Sequence, residues 1–121
     1  MGRILIIEDS LVEIEIMKRV LQSTPHTLAI AKDGEDGIEK ARAIKPQLIL
    51  MDVVMPKKNG FQVCRELRND PQFKNTPIIL VSSKDKDFDK VWGKQQGASD
   101  YLVKPYNPEE LLAIVNKYLK T

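Results

Sequence analysis

The sequence predicts an α/β protein built on a five-stranded parallel sheet with helices on both faces. Three observations carry this expectation. Short apolar runs, residues 4–7 and Leu48–Met51 among them, are too brief for helices and too continuous for half-exposed strands, so they read as strands buried on both faces. Segments with apolar residues at helical spacing lie between these runs. Prolines open or close the segments instead of interrupting them. Strand and helix alternating along a chain specify a parallel sheet whose crossovers place helices on its faces.

Arg3–Ile7 is the first strand. Residues 11–22 follow as a helix that Asp9 or Ser10 can cap, with Val12, Ile16 and Val20 on one face and Pro25 past its end. Residues 28–31 form a short strand, and Gly34 begins a turn. Residues 36–44 are helical, with Ile38, Ala41 and Ile44 in step and Pro46 closing the segment. Residues 47–51 are the third strand. Residues 60–69 form a helix that ends at Asp70-Pro71, and residues 77–81 are the fourth strand. Residues 88–96 are helical with an end signal at Gly97, and residues 101–103 are the fifth strand. The last helix, 108–119, is the best marked. Asn107 can cap it, Pro108 suits its first turn, and Glu109 and Glu110 suit its positive end. Leu111, Leu112, Val115, Tyr118 and Leu119 make its buried stripe.

At 121 residues, 42% hydrophobic and 30% charged, the chain suits one domain spanning 1–121 with no effector domain. The net charge of +2 is too small to imply nucleic acid, and no segment is left for a recognition helix. The lone cysteine, Cys64, excludes an internal disulfide and has Phe61 and Leu67 at helical spacing, which suits core packing. No apolar stretch reaches the length of a membrane span and no signal peptide precedes the first strand, so a cytoplasmic protein is expected. His26, alone after Pro25, reads as a surface residue.

The chemistry gathers at strand ends. Glu8-Asp9 follows the first apolar run and Asp52 follows the third, the edge at which open α/β sheets place their ligands. A capping role accounts for one acid but not for three. Two like charges about 4 Å apart cost on the order of 4 kcal/mol at an effective dielectric near 20. A hard divalent cation removes that cost, and Mg²⁺ binds through one or two carboxylates together with phosphate oxygens. Ser82 and Lys104 end the fourth and fifth strands in the same way. A lysine there can neutralise a phosphoryl group, and a serine hydroxyl can donate to one of its oxygens.

With Glu8-Asp9, the segment from Met51-Asp52 through Met55-Pro56 to Asn59-Gly60, Ser82, and Asp100-Tyr101-Leu102-Val103-Lys104-Pro105 in this order, the whole chain resembles a response-regulator receiver domain of bacterial two-component signalling, the CheY-like superfamily. Residues 89–97 are similar, more narrowly, to the stand-alone regulators of type IV pilus twitching motility. The resemblance implies a flavodoxin-like (βα)5 doubly wound sheet with strand order 2-1-3-4-5. It implies that Asp52 accepts a phosphoryl group from a phosphohistidine, on a sensor histidine kinase or CheA-like kinase. Asp9, Asp52 and the Val54 backbone carbonyl would bind Mg²⁺ (or Mn²⁺), with Glu8 acting through water. Lys104 would pair with the phosphoryl group, Ser82 would bond to it, and Tyr101 would be an aromatic switch. Val54 and Lys84 would tune hydrolysis, and the peptide before Pro105 would be cis.

On this reading the face formed by the fourth helix, the fifth strand and the fifth helix signals to a downstream protein partner. Neither nucleic acid nor membrane is a partner, and the chain is a monomer or a weak homodimer. It is not a turnover enzyme. Trp92, four residues from Phe88, suits either core packing or partner contact. Glu8 stands where aspartate is more usual, and Val54 offers no hydrogen bond to an attacking water, so slow self-dephosphorylation is expected. A phosphate sink for a shared kinase and a non-phosphorylated scaffold are the alternatives within the family. A haloacid-dehalogenase-type phosphatase requires a second aspartate where Val54 stands. A flavin binder requires a Gly- or Ser/Thr-rich phosphate loop after the first strand, which Asp9-Ser10-Leu11 does not supply.

Overall fold

The structure is a computed structural model that describes residues 2–120. Its strands are β1 (Arg3–Ile7), β2 (Thr27–Ala31), β3 (Leu48–Met51), β4 (Ile78–Ser82) and β5 (Asp100–Val103). Its helices are α1 (Leu11–Leu21), α2 (Gly34–Ile44), α3 (Gly60–Arg68), α4 (Asp87–Gln95) and α5 (Pro108–Tyr118), and a single 3₁₀ turn, Pro71–Phe73, follows α3. All strand pairs are parallel, in the order β2-β1-β3-β4-β5. This is the expected flavodoxin-like doubly wound sheet, with β1 and β3 side by side at its centre.

Side chains alternate across the pleat of a strand, and the core divides accordingly. Leu5, Ile7, Ile49, Met51, Ile78 and Leu80 pack with Ile38 and Ala41 of α2 and with Val63, Cys64 and Leu67 of α3. Ile4, Ile6, Leu48, Leu50, Ile79 and Val81 pack on the other face with Met17 and Leu21 of α1 and with Leu111 and Val115 of α5. Residues 4–7 and Leu48–Met51 are completely buried, as their unbroken apolar character requires. Cys64 belongs to this core, where burial pushes its thiol up to about 11.

The ends of the helices follow local chemistry. Ser10 caps α1, Asp33 caps α2, and Asn59 and Asn107 form reciprocal capping boxes with Gln62 and Glu110. The Asp33 cap starts α2 at Gly34, where the sequence suggests a turn; a Cβ on Gly34 would run into the backbone oxygen of Lys58.

Two expectations are corrected. The buried face of α1 carries Ile14, Met17 and Leu21, while Val12 and Ile16 face outward and Val20 is half-buried. The apolar residues of the helix fall on two stripes, with Glu13, Glu15, Lys18 and Arg19 between them, and packing against the sheet and α5 selects one. His26 is buried, with its Nδ1 accepting the Gly2 backbone N–H at 2.9 Å. The start of β2 lies beside the start of β1, which covers the imidazole with chain.

Candidate functional site

The sheet brings the predicted residues to one edge. The Asp52 backbone N–H donates to the Ile7 carbonyl at 3.0 Å, extending the β1–β3 ladder by one residue beyond Met51. That bond sets Asp52 beside Glu8 and Asp9. Carboxylate oxygens of Glu8, Asp9 and Asp52 all lie within 4.8 Å of one another. Glu8 is buried, Asp9 is exposed and Asp52 is 8% exposed, so the cluster opens to solvent on the Asp9 side.

Lys104 enters the cluster from β5. Its backbone N–H donates to the Ser82 carbonyl at 2.9 Å, continuing the β4–β5 ladder, and the Lys104–Pro105 peptide is cis. Its Nζ lies 2.8 Å from Glu8 Oε1 and 3.5 Å from both Asp52 Oδ2 and Glu13 Oε1. The other Asp52 oxygen, Oδ1, accepts the Val53 N–H at 2.7 Å. Gly60 secures the loop beyond: its N–H donates to Val53 O at 2.8 Å, and a Cβ there would run into the Asp52 carbonyl oxygen.

Burial and charge shape these groups in opposite directions. Burial pushes the Glu8 carboxyl above its usual range and the Asp52 charge adds to the rise, while the Lys104 ammonium and the Ser10 N–H oppose it. Burial disfavours the Lys104 ammonium, but the hydrogen bond to Glu8 and the charges of Asp52, Glu8 and Glu13 outweigh burial and raise its pKa. Three carboxylates therefore meet one lysine, and Asp9 adds a further acid to the cluster. The donor set is all oxygen and carries excess negative charge, which suits a hard divalent cation held through Asp9, Asp52 and Glu8.

Ser82 is fully buried, with Oγ accepting the Lys84 N–H at 3.3 Å. The half-buried Tyr101 donates its hydroxyl to the Lys84 carbonyl at 2.7 Å, so the two share one residue as partner. Val54 is 57% exposed at the mouth of the cluster, and Lys84 is exposed. Trp92 faces outward with Phe88 and Val91 on α4. Glu13 escapes a reading of the sequence, because Ser10-x-x-Glu13 looks like an ordinary capping box.

A parallel five-stranded sheet with acids and a lysine meeting at its carboxyl edge defines a receiver. The family model of the response regulator receiver domain matches residues 4–116, and the chain belongs to that family. It is 46% identical to protein PilH of Pseudomonas aeruginosa over 98% of each chain. It spans about half the length of further curated relatives, 48% and 53% of theirs. Chemotaxis protein CheY4 of Vibrio cholerae superposes with a TM-score of 0.92 at 33% identity, over 98% of this chain and 99% of that one. The receiver domain of sensor histidine kinase PA1611 from Pseudomonas aeruginosa, with a magnesium ion coordinated in its active site cleft, superposes with a TM-score of 0.90 at 28% identity, over 99% and 98%. Among the described residues, no helix is long and apolar enough to cross a membrane.

Proposed function

We propose that the protein is a phosphoacceptor response regulator in which Asp52 takes a phosphoryl group from a phosphohistidine of a histidine kinase. The observation that carries this reading is the placement of Asp52: a nearly buried carboxylate, within 4.8 Å of two others and 3.5 Å from a lysine ammonium. A carboxylate oxygen of Asp52 forms the new bond to phosphorus. The phosphorus–nitrogen bond of the donor breaks, and the imidazole leaves with that electron pair. Phosphoryl transfer asks a protein for alignment and charge neutralisation. The Val53 N–H fixes Asp52 Oδ1, so Oδ2, on the Lys104 side, is the oxygen free to attack.

Asp9 and Asp52 would hold Mg²⁺, with the Val54 carbonyl as a further ligand and Glu8 acting through water; Mn²⁺ suits the same oxygen set. When bound, the ion supplies positive charge to the transferring group. Lys104 supplies the protein's own cation.

The output follows from the Lys84 contacts. The Ser82 hydroxyl accepts from Lys84 and retains its own proton to donate to a phosphoryl oxygen. Drawing Ser82 toward that oxygen weakens its bond to Lys84, which is also the partner of Tyr101. Tyr101 is thereby released to change position, and α4, β5 and α5 present a different surface to a downstream protein. The 46% identity to PilH supports an output of the twitching-motility type.

Intact-protein mass spectrometry after incubation with acetyl phosphate tests the reading. Wild type should gain one phosphoryl mass only when Mg²⁺ is present, and Asp52→Ala should gain none. Retention of the gain in Asp52→Ala would overturn Asp52 as the acceptor.

A further inference from the structure

Glu13 occupies the third position of α1, where its backbone N–H donates to the Ser10 cap at 3.3 Å. In an ordinary capping box its carboxylate would reach back to the Ser10 N–H. Here Glu8 Oε2 already accepts that N–H, at 3.1 Å. The Glu13 carboxylate turns instead to Lys104, with Oε1 3.5 Å from Nζ, the same separation as Asp52 Oδ2 on the other side. The Lys104 side chain is only 14% exposed and that of Glu13 28% exposed, so the contact is partly shielded from water.

Glu8 makes the one short bond to the ammonium, at 2.8 Å. The remaining donors of Lys104 are left between two carboxylates at equal distance. A phosphoryl group forming on Asp52 demands the ammonium on the Asp52 side, and the Glu13 contact opposes that turn. Glu13 also adds a negative charge to a cluster that an anionic donor must approach.

We propose that Glu13 is a positioning residue for phosphoryl uptake: it competes with Asp52 for Lys104 in the resting protein and so restrains the reaction until the ammonium is drawn across. This role rests on Asp52 being the phosphoacceptor. The donor's phosphorus–oxygen or phosphorus–nitrogen bond still breaks with its electron pair leaving on the donor; Glu13 touches neither atom.

The test compares wild type, Glu13→Gln and Glu13→Asp in two measurements. The first is the second-order rate constant for acetyl phosphate with Mg²⁺, followed by intact mass. Glu13→Gln should be faster by about two- to fivefold, the weight of a partly exposed ion pair, with the gain shrinking as salt is raised. Glu13→Asp keeps the charge on a shorter arm and should fall between the two. The second is the Lys104 side-chain NMR resonance in metal-free protein at constant pH, assigned with Lys104→Arg. It should shift in Glu13→Gln and be largely restored in Glu13→Asp, following the charge at residue 13 and not the loss of the native side chain. A wild type that accepts phosphate together with an unchanged or slower Glu13→Gln overturns this role alone, as does an unmoved Lys104 resonance. A wild type that accepts no phosphate overturns the reading of Asp52 as well.

Discussion

Lys104 and Arg68 sit at opposite edges of the same sheet, each a single cation reaching across several elements. Arg68, at the end of α3, donates to the carbonyls of Gly97 at 2.8 Å, Phe73 at 2.6 Å and Thr76 at 2.6 Å, and to Ser99 Oγ at 3.2 Å. Its partners are mostly backbone oxygens, which neither titrate nor move without moving the chain. The fork of the guanidinium matches them in fixed directions. Lys104 has one short bond and two longer carboxylate contacts. Its partners are charged side chains that can change allegiance. One edge is a clamp and the other is a site that can be rearranged. The difference lies in what the cation holds, since the number of contacts is similar.

The largest expected effect breaks the rearrangeable edge. Lys104→Ala removes the only lysine at the acid cluster among the described residues, and the rate of phosphoryl uptake should fall about 100-fold, the cost of one preorganised charge donor. Stopped-time mass measurements with acetyl phosphate check this.

Arg68→Ala is the matching test of the clamp. It should cost about 2–4 kcal/mol in urea unfolding, because several carbonyls lose a charged donor together. Phosphoryl uptake by the folded protein should be unchanged.

Val54→Asn sharpens the account of the site's mouth. Val54 is exposed beside Asp52 and offers no side-chain hydrogen bond to water. An added amide should shorten the life of the phosphorylated protein by about two- to tenfold, the worth of one ordinary hydrogen bond. Decay of the phosphorylated mass with time reads this out.

The smallest effect lies at the amino edge. Burial lowers the pKa of His26, and the positive charge of the N-terminus lowers it further. Its Nδ1 is taken by the Gly2 N–H and its Nε2 is buried without a partner among the described residues. A folded pKa below the unfolded value means that the unfolded chain binds more protons between the two. This contribution to stability is therefore present above about pH 6.5 and is lost as pH falls through the folded value. Urea midpoints should decline on acidification across that window, and His26→Asn should flatten the decline.

Most of the fold was legible because the strands are unambiguous. Four or more consecutive apolar residues ending in an acid or a serine leave one reading for residues 4–7, Leu48–Met51 and the segment before Ser82. The strand ends then gather Glu8, Asp9, Asp52, Ser82 and Lys104 by topology alone. Periodicity failed where it was degenerate: α1 has apolar residues on two faces, and only the sheet chooses between them. The burial of His26 depends on a neighbouring strand start 24 positions away in sequence. The Arg68 clamp left no mark because most of its acceptors are carbonyls, which every residue carries. Glu13 was hidden by a local pattern that the fold uses differently.

The contrast between the two edges is tested most directly by backbone NMR of wild type with and without Mg²⁺ and beryllofluoride, a stable mimic of the phosphoryl group. The account predicts large shift changes at residues 8–13, 52–55, 82–84 and 101–106. It predicts amides near Arg68 (residues 68, 73–76 and 97–99) that stay where they were. Shifts as large around Arg68 as around Lys104 would contradict it, since the clamp would then be moving with the site.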